Sequence, residues 1–172
     1  AGKPVVTANK ALLAEHGAEI FGQAAEKKID VWFEASVGGG IPIIKSLREG
    51  LVVNKFNSIF GIVNGTSNFV LSQMSQNNCS FSEALRQAKE NGFAEKDPSL
   101  DLEGVDCAHK LILLTYLCFG RLINIKDIFI EGISQISLAD VNYAKEMGFE
   151  IKLLAIAKKR GEELEVRVHP TM

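Results

Sequence analysis

The residues best suited to chemistry are crowded into one short stretch, residues 91–110. Five carboxylates precede or open an apolar helix there: Glu95, Asp97, Asp101, Glu103 and Asp106. Asp106 and Lys110 are four residues apart with the acid first, the favourable order for a pair on one helix face. One interpretation is structural, an acidic turn suited to the helix dipole and a solvated ion pair. The other is functional, because a lysine ringed by carboxylates at the start of a buried helix can act as a general acid and base.

A second candidate site is the glycine-rich loop at residues 34–42, Glu-Ala-Ser-Val-Gly-Gly-Gly-Ile-Pro. Consecutive glycines suit a tight turn, and they also let backbone approach a ligand closely. The loop matches neither GxGxxG nor the P-loop, so a phosphate cradle has weak support. Glu34 followed by a loop rich in exposed carbonyls would suit a hard monovalent or divalent cation held by oxygen ligands.

The pattern of the first 50 residues predicts the elements that position this loop. A short buried strand at 5–7, an amphipathic helix at 11–27, a strand at 31–35 and a helix at 41–48 follow one another with short links. A strand–helix–strand–helix order indicates a parallel sheet. Residues 1–50 are therefore expected to form the trailing part of an α/β domain.

Residues 51–172 show an α+β pattern, with strands and helices interleaved and a sheet covered on one face. The Asn64-Gly65 pair predicts a sharp turn, and Thr66 or Ser67 is the predicted cap of a helix at 68–76. A role for this turn in a site stays open beside simple turn chemistry. The other expected elements are a strand at 55–63, a helix at 84–90 begun by a capping box at Ser80, the buried helix from 102, a strand at 127–133, a helix at 138–147 and a hairpin of strands 150–158 and 163–169.

Composition excludes several classes of partner. The chain has 172 residues, of which 47% are hydrophobic and 23% charged, and its net charge of −2 gives no reason to expect nucleic acid or anionic membrane. No apolar run approaches the roughly 18 residues that a membrane span needs. The three cysteines are far apart without CxxC spacing, which argues for a reducing, cytoplasmic compartment and against a structural zinc site.

Four blocks of this sequence, taken in order, resemble homoserine dehydrogenases. They are residues 5–12, 33–44, 61–68 and 92–110. The resemblance spans essentially the whole chain, and four blocks at compatible spacing are more specific than any single motif. It implies NAD(P)-dependent interconversion of L-homoserine and L-aspartate 4-semialdehyde, in the biosynthesis of threonine, methionine and isoleucine. It also implies a homodimer and a Rossmann-type sheet, of which this chain would carry the tail before a catalytic and dimerisation domain at 51–172.

The resemblance also implies roles for individual residues. Lys110 would be the acid and base that protonates the new alkoxide, with Asp106 as its charged neighbour. Lys10 would be a second lysine close to substrate and nicotinamide. Glu95 and Asp101 would bind the amino group of homoserine.

Further residues would complete the site by the same resemblance. Gly65 and Thr66 would line the substrate pocket, and Gly92 would touch the cofactor. A sodium ion would be held by the Glu34 carboxylate and three backbone carbonyls, those of Val37, Gly39 and Ile41.

Two features depart from the family pattern. Phe93 stands where tyrosine is expected, which removes a hydroxyl near the substrate. The N-terminal half with GxGxxG is absent and the chain opens on Ala1 without an initiator methionine, so we expect a fragment of a longer protein that is inactive alone. A non-catalytic oligomerisation or regulatory module, or a lyase-type enzyme using the same lysine, are the alternatives. The joint presence of Lys10, Glu95, Asp101 and Lys110 favours the dehydrogenase.

Overall fold

A computed structural model describes residues 2–172, which divide into two compact units. The first unit contains residues 2–59, 109–128 and 157–165, and the second contains residues 60–108, 129–156 and 166–172. The helix at 105–119 and the strands at 152–160 and 163–171 each have residues in both units. The division of the chain at residue 50 into a nucleotide-binding and a catalytic domain stays a prediction.

The first unit opens with a parallel strand–helix–strand motif. Strand β1 (Val5–Val6) leads into helix α1 (Lys10–Glu26), which returns the chain to strand β2 (Val31–Trp32). The strands pair in parallel with Val5 opposite Val31, so the predicted parallel arrangement is confirmed. Asn9 starts α1 by accepting a hydrogen bond from the amide of Leu12, which satisfies one of the unpaired donors of the first turn.

The strands of this motif are shorter and more exposed than predicted. The predicted burial of residues 5–7 is wrong, since Val5 is 48% exposed and Val6 is 84% exposed. Within residues 2–172 this sheet consists of two strands of two residues each. So small a sheet has few neighbouring side chains to cover its valines. Residues 34–36 form a 3₁₀ turn instead of extending β2, and helix α2 (Ile43–Lys45) continues as a π-helical segment to Gly50.

A four-stranded sheet carries the rest of the fold. Its strands are β3 (Ser58–Gly61), β4 (Phe129–Ile130), β5 (Lys152–Arg160) and β6 (Glu163–Thr171), in the order β3-β5-β6-β4. The two-residue turn at 161–162 joins β5 to β6 as the predicted hairpin, with Gly161 at φ +61°. Strand β4 pairs in parallel with β6, and Ile130 lies opposite Val168.

Five helices lie between and beside these strands. They are α3 (Gly65–Asn77), α4 (Phe81–Glu90), α5 (Ser99–Leu102), α6 (Val105–Phe119) and α7 (Leu138–Glu146). Helix α6 is the buried helix that its apolar sequence predicts, with Cys107, Leu111 and Ile112 fully buried.

The helix caps show where local patterns succeed and fail. Ser80 forms its half of the predicted capping box of α4 by accepting a hydrogen bond from the amide of Glu83, while the Glu83 carboxylate accepts from Arg86 and Gln87. The predicted cap of α3 is wrong, because Asn64 and not Thr66 or Ser67 fills the N-cap position. Ser137 and Asp140 form a reciprocal capping box at the start of α7.

Gly132 is packed directly against the acidic segment. A Cβ atom there would overlap the carbonyl oxygen of Leu102 and lie 2.5 Å from the Cα atom of Glu103. The amide of Ile133 donates to the same Leu102 carbonyl at 2.8 Å. Only a residue without a side chain therefore lets these two backbone segments meet.

We expect the substitution Gly132→Ala to lower the free energy of unfolding by about 1–3 kcal/mol, because backbone atoms must move to admit the methyl group. Gly22→Ala is the matched control. Gly22 lies inside α1, and no atom lies within 4 Å of the place that an added methyl group would take, so alanine should raise the same quantity by about 0.8–1 kcal/mol. Urea denaturation measures both changes. Equal stabilities for the two variants would contradict the packing argument.

Candidate functional site

In the second unit, one side chain joins two of the predicted site carboxylates. The amide nitrogen of Asn64 donates to Oδ1 of Asp101 at 2.6 Å and to Oδ2 of Asp106 at 2.9 Å. Asp106 is 9% exposed and Asp101 is half-buried. The fold therefore brings these two acids, which belong to α5 and α6, to a single point.

Asn64 is held in place from its other side. Its side-chain oxygen accepts from the amide of Ser67 at 2.9 Å, and its carbonyl accepts from the side chain of Asn68 at 3.1 Å. The cap fixes the orientation of the amide, because a reversed amide would turn its oxygen toward two carboxylates. Ser67 adds a further link by donating its hydroxyl to the Asp101 carbonyl at 2.7 Å. Sequence reasoning left a site role open for the Asn64-Gly65 turn but did not identify Asn64 as the N-cap, although asparagine immediately before a helix is a recognised N-cap signal.

Thr66 positions the loop that carries Gly92 and Glu95. Its hydroxyl donates to the carbonyl of Phe93 at 2.7 Å, and Thr66 itself is buried. The ring of Phe93 stacks on Phe69 with centroids 4.4 Å apart, so a phenylalanine at this position still packs without a hydroxyl. Gly92 has φ +76°, which favours glycine, and its Cβ direction is open.

The remaining acids of the stretch have different surroundings. Glu95 is exposed on the loop before α5. Hydrogen bonds from the side chain and then the backbone of Ser99 hold the pKa of Asp97 below its usual range. Glu103 accepts a hydrogen bond from the Ser134 hydroxyl. Asp97 and Glu103 therefore have local structural partners, whereas Asp101 and Asp106 converge on Asn64.

Helix α6 places Asp106 and Lys110 one turn apart. Asp106 lies in the first turn, and Lys110 is half-buried one turn later. Residues at this spacing are neighbours on a helix surface. The helix thus carries a buried acid and a half-buried amine in succession. Their roles as catalytic pair stay a prediction.

In the first unit, Lys10 and Glu34 follow the carboxyl ends of the parallel strands. Lys10 is the first residue of α1, three residues after Thr7 and half-buried. Glu34 lies just beyond β2, and its two carboxylate oxygens accept hydrogen bonds from the amides of Ile44 and Lys45 at 3.0 and 2.8 Å. Ligands of doubly wound sheets bind outside this edge of the strands.

The glycine loop after Glu34 is sharply turned. Gly38 and Gly39 both have positive φ, at +75° and +59°. The carbonyl of Gly38 accepts from the amide of Ile41, and the carbonyl of Ile41 accepts from the amide of Ile43. Among residues 2–172, no three His, Cys, Asp or Glu side chains are grouped to hold a metal ion. The predicted sodium ligands, Glu34, Val37, Gly39 and Ile41, stay a prediction.

Two general features complete the description of the chain. Within residues 2–172, no helix is both long enough and apolar enough to cross a membrane. Over the same residues no disulfide is formed by the three cysteines, Cys79, Cys107 and Cys118.

Comparison of sequences identifies the relatives of this chain. The family model described as homoserine dehydrogenase matches residues 42–172. Homoserine dehydrogenase of Neisseria gonorrhoeae is 50% identical over 171 residues, which cover 99% of this chain and 39% of the relative. The relative from Pseudomonas aeruginosa is also 50% identical, with the same coverage. The chain therefore spans about two fifths of the length of these relatives.

Solved structures agree with the sequence comparison. The crystal structure of a homoserine dehydrogenase from Thiobacillus denitrificans matches with a TM-score of 0.94 at 50% identity, over 98% of this chain and 39% of that one. A hyperthermophilic archaeal homoserine dehydrogenase in complex with NADPH matches with a TM-score of 0.81 at 29% identity, over 98% of this chain and 48% of that one. With the family model covering most of its length, this chain belongs to the homoserine dehydrogenase family.

Proposed function

We propose that the protein containing this chain interconverts L-homoserine and L-aspartate 4-semialdehyde with NAD(P), in the route to threonine, methionine and isoleucine. The observation that carries the proposal is the convergence of Asp101 and Asp106 on Asn64 at the start of the helix that bears Lys110. Family membership supports the reaction class. A non-catalytic module would have no need to bury an acid one helical turn before a lysine.

Substrate binding is assigned to the acidic stretch and the residues that hold it. The ammonium group of homoserine is a cation, and Asp101 and Glu95 supply carboxylates for it. Gly65 begins α3 with no atom near its Cβ direction, so it offers open backbone to the substrate. Thr66 contributes by pinning the Phe93 carbonyl, because that hydrogen bond restrains the loop on which Glu95 lies.

Proton transfer is assigned to Lys110. In reduction its ammonium donates a proton to the oxygen that becomes the hydroxyl of homoserine, and in oxidation its amine accepts that proton. Asp106 is its charged neighbour, one turn earlier on the same helix. When bound, a nicotinamide cofactor supplies the hydride chemistry of the reaction. In this proposal, the residues of this chain carry out the proton transfer.

Cofactor binding is assigned to Lys10 and Gly92. Lys10 follows the carboxyl end of β1, and the backbone at Gly92 is open to close approach. The archaeal relative is described in complex with NADPH, which supports NADP(H). Because these are few contacts for a dinucleotide, we expect the 172-residue chain by itself to be inactive.

Initial-rate assays test the proposal in the protein encoded by the complete reading frame around this chain. Adding L-homoserine and NAD(P)⁺ should produce NAD(P)H absorbance. The matched control is 4-hydroxybutyrate, which lacks the ammonium group and should react far more slowly. Consumption of homoserine without reduced cofactor would favour a lyase-type enzyme, and no conversion would favour the non-catalytic module.

We also propose a sodium ion at the loop after β2, with Glu34, Val37, Gly39 and Ile41 as ligands. One carboxylate and three carbonyls form an all-oxygen donor set of the kind that hard cations take. The two amide hydrogen bonds to Glu34 fix the carboxylate in position, and each of its oxygens retains a further lone pair for an ion.

Sodium is expected to stabilise the protein. Exchanging choline chloride for sodium chloride at constant ionic strength should add about 1.4 kcal/mol to the free energy of unfolding when sodium exceeds its dissociation constant about tenfold. Glu34→Gln should abolish this gain, and it should also lower stability in choline, because one amide loses its acceptor and the other keeps only an uncharged one. Calorimetry in the two salts measures both effects. Identical wild-type stability in the two salts would contradict the ion site.

Assembly as a homodimer in the cytoplasm completes the proposal. Apolar side chains on and beside the sheet are exposed, including Phe60, Ile62 and Phe129. Such side chains on edge strands suit a sheet shared between two copies. Three cysteines without a disulfide support a reducing compartment. The net charge of −2 gives no support to a nucleic-acid partner.

A further inference from the structure

The amide of Asn64 links two acids that the proposed reaction uses for different purposes. It reaches Asp101, the acid assigned to the substrate ammonium, and Asp106, the acid beside Lys110. These acids are 37 and 42 residues away from Asn64 along the chain. We propose that Asn64 is a positioning residue that sets the placement of both carboxylates for the reaction. This inference rests on the proposed function, which gives roles to the two acids and none to Asn64.

The chemistry of the contact explains why an amide is required. Two carboxylates in one partly buried place repel each other, and each loses water that would stabilise its charge. One NH₂ group has two donors and no charge, so it can satisfy both acids at once. The Asn64 oxygen cannot replace the nitrogen in this position, since it already accepts from Ser67. Asn64 thus satisfies one oxygen of each acid while its own position is set by α3.

The consequence for the reaction is a coupled effect on binding and turnover. Without the amide, repulsion moves Asp101 and Asp106 apart. The Michaelis constant for homoserine then rises because Asp101 is misplaced, and turnover falls because Asp106 is displaced on the helix that carries Lys110. The Michaelis constant for NAD(P) is unaffected, since neither acid is assigned to the cofactor. A loss of folded protein would lower apparent turnover without changing either Michaelis constant.

The substitution Asn64→Ser removes the double hydrogen bond to Asp101 and Asp106 while keeping the N-cap of α3. Serine is about as good an N-cap as asparagine, so α3 keeps its first hydrogen bond. A single hydroxyl has one donor and cannot serve both carboxylates. Ser80→Ala is the matched control, because it removes the cap of α4 in the same unit and touches neither acid. It should lower the thermal midpoint and leave all kinetic constants unchanged.

We expect Asn64→Ser to raise the Michaelis constant for homoserine and lower turnover by about tenfold each, the size of one hydrogen bond to a charged group. In an Asp101→Ala background, the same substitution should have no further effect on that Michaelis constant, because its target is gone. An unchanged Michaelis constant in the single variant would overturn the inference. An equal effect in both backgrounds would do so as well.

The crystal structure of the Asn64→Ser protein provides a readout that does not depend on turnover. We expect the carboxylates of Asp101 and Asp106 to separate relative to the wild type. Unchanged carboxylate positions would overturn the positioning role whatever reaction the protein catalyses. A wild-type protein that fails to oxidise homoserine, by contrast, would refute the proposed function and leave this structural outcome to decide the inference.

Discussion

Lys110→Ala is expected to lower turnover by about 10²–10⁴-fold in the protein encoded by the complete reading frame, because general acid–base catalysis contributes that much. The Michaelis constant for homoserine should change far less, since Glu95 and Asp101 carry the ammonium. Helix α6 keeps its fold in the variant, because alanine is the best helix former. Steady-state kinetics in both directions measures the change.

Lys145→Ala is the control for this prediction. Lys145 is an exposed lysine near the end of α7, and its amine contacts the carbonyl of Ser75. Its removal should leave turnover unchanged. Small primary amines added to the Lys110→Ala protein should restore part of the rate, because they can supply the missing proton donor. Near-normal turnover in the Lys110 variant would refute its assignment as the acid and base.

Asp101→Ala is expected to raise the Michaelis constant for homoserine by about 10²-fold, because a partly buried charge pair is lost. Turnover should fall less, since Asp106 and Lys110 remain on α6. The backbone carbonyl of Asp101 still accepts the Ser67 hydroxyl, and Asn64 still reaches Asp106. The fold around the site should therefore survive the substitution.

Two further variants locate the cause of this effect. Asp101→Asn keeps an oxygen that can accept from Asn64 and removes the negative charge, so it should resemble the alanine variant in its Michaelis constant. Asp97→Ala is the matched control in the same stretch, because Asp97 accepts from the amide of Ser99 and serves the start of α5. It should alter stability alone. A normal Michaelis constant for Asp101→Asn would show that the charge is not needed.

Elements that depend on neighbours along the chain could be predicted from the sequence. The apolar periodicity of α1 and α6 and the hairpin of β5 and β6 appear close to their predicted bounds. The spacing of Asp106 and Lys110 on one helix follows from the same local pattern. Helical and hairpin contacts join residues close in sequence, so their signals lie within a short window.

Elements that depend on distant partners were predicted less well. Strands β1 to β4 are shorter than their patterns, because the length over which a strand pairs depends on a partner elsewhere in the chain, which the strand's own residues do not record. Val6 reads as a core residue by its type, yet its burial depends on what covers the sheet. Asn64 was interpreted as part of a turn, since asparagine before glycine suits a turn as well as a helix cap.

The sequence by itself determined which chemical groups this chain contains and which local elements carry them. It placed the acids before and at the start of one buried helix, and Lys110 one turn after Asp106 on that helix. Only the tertiary structure decided that Asp101 and Asp106 share one amide donor, because Asn64 comes from the start of α3. It also decided that Gly132 must leave room for the Leu102–Glu103 backbone. Both contacts join segments far apart in sequence, so no local pattern records them.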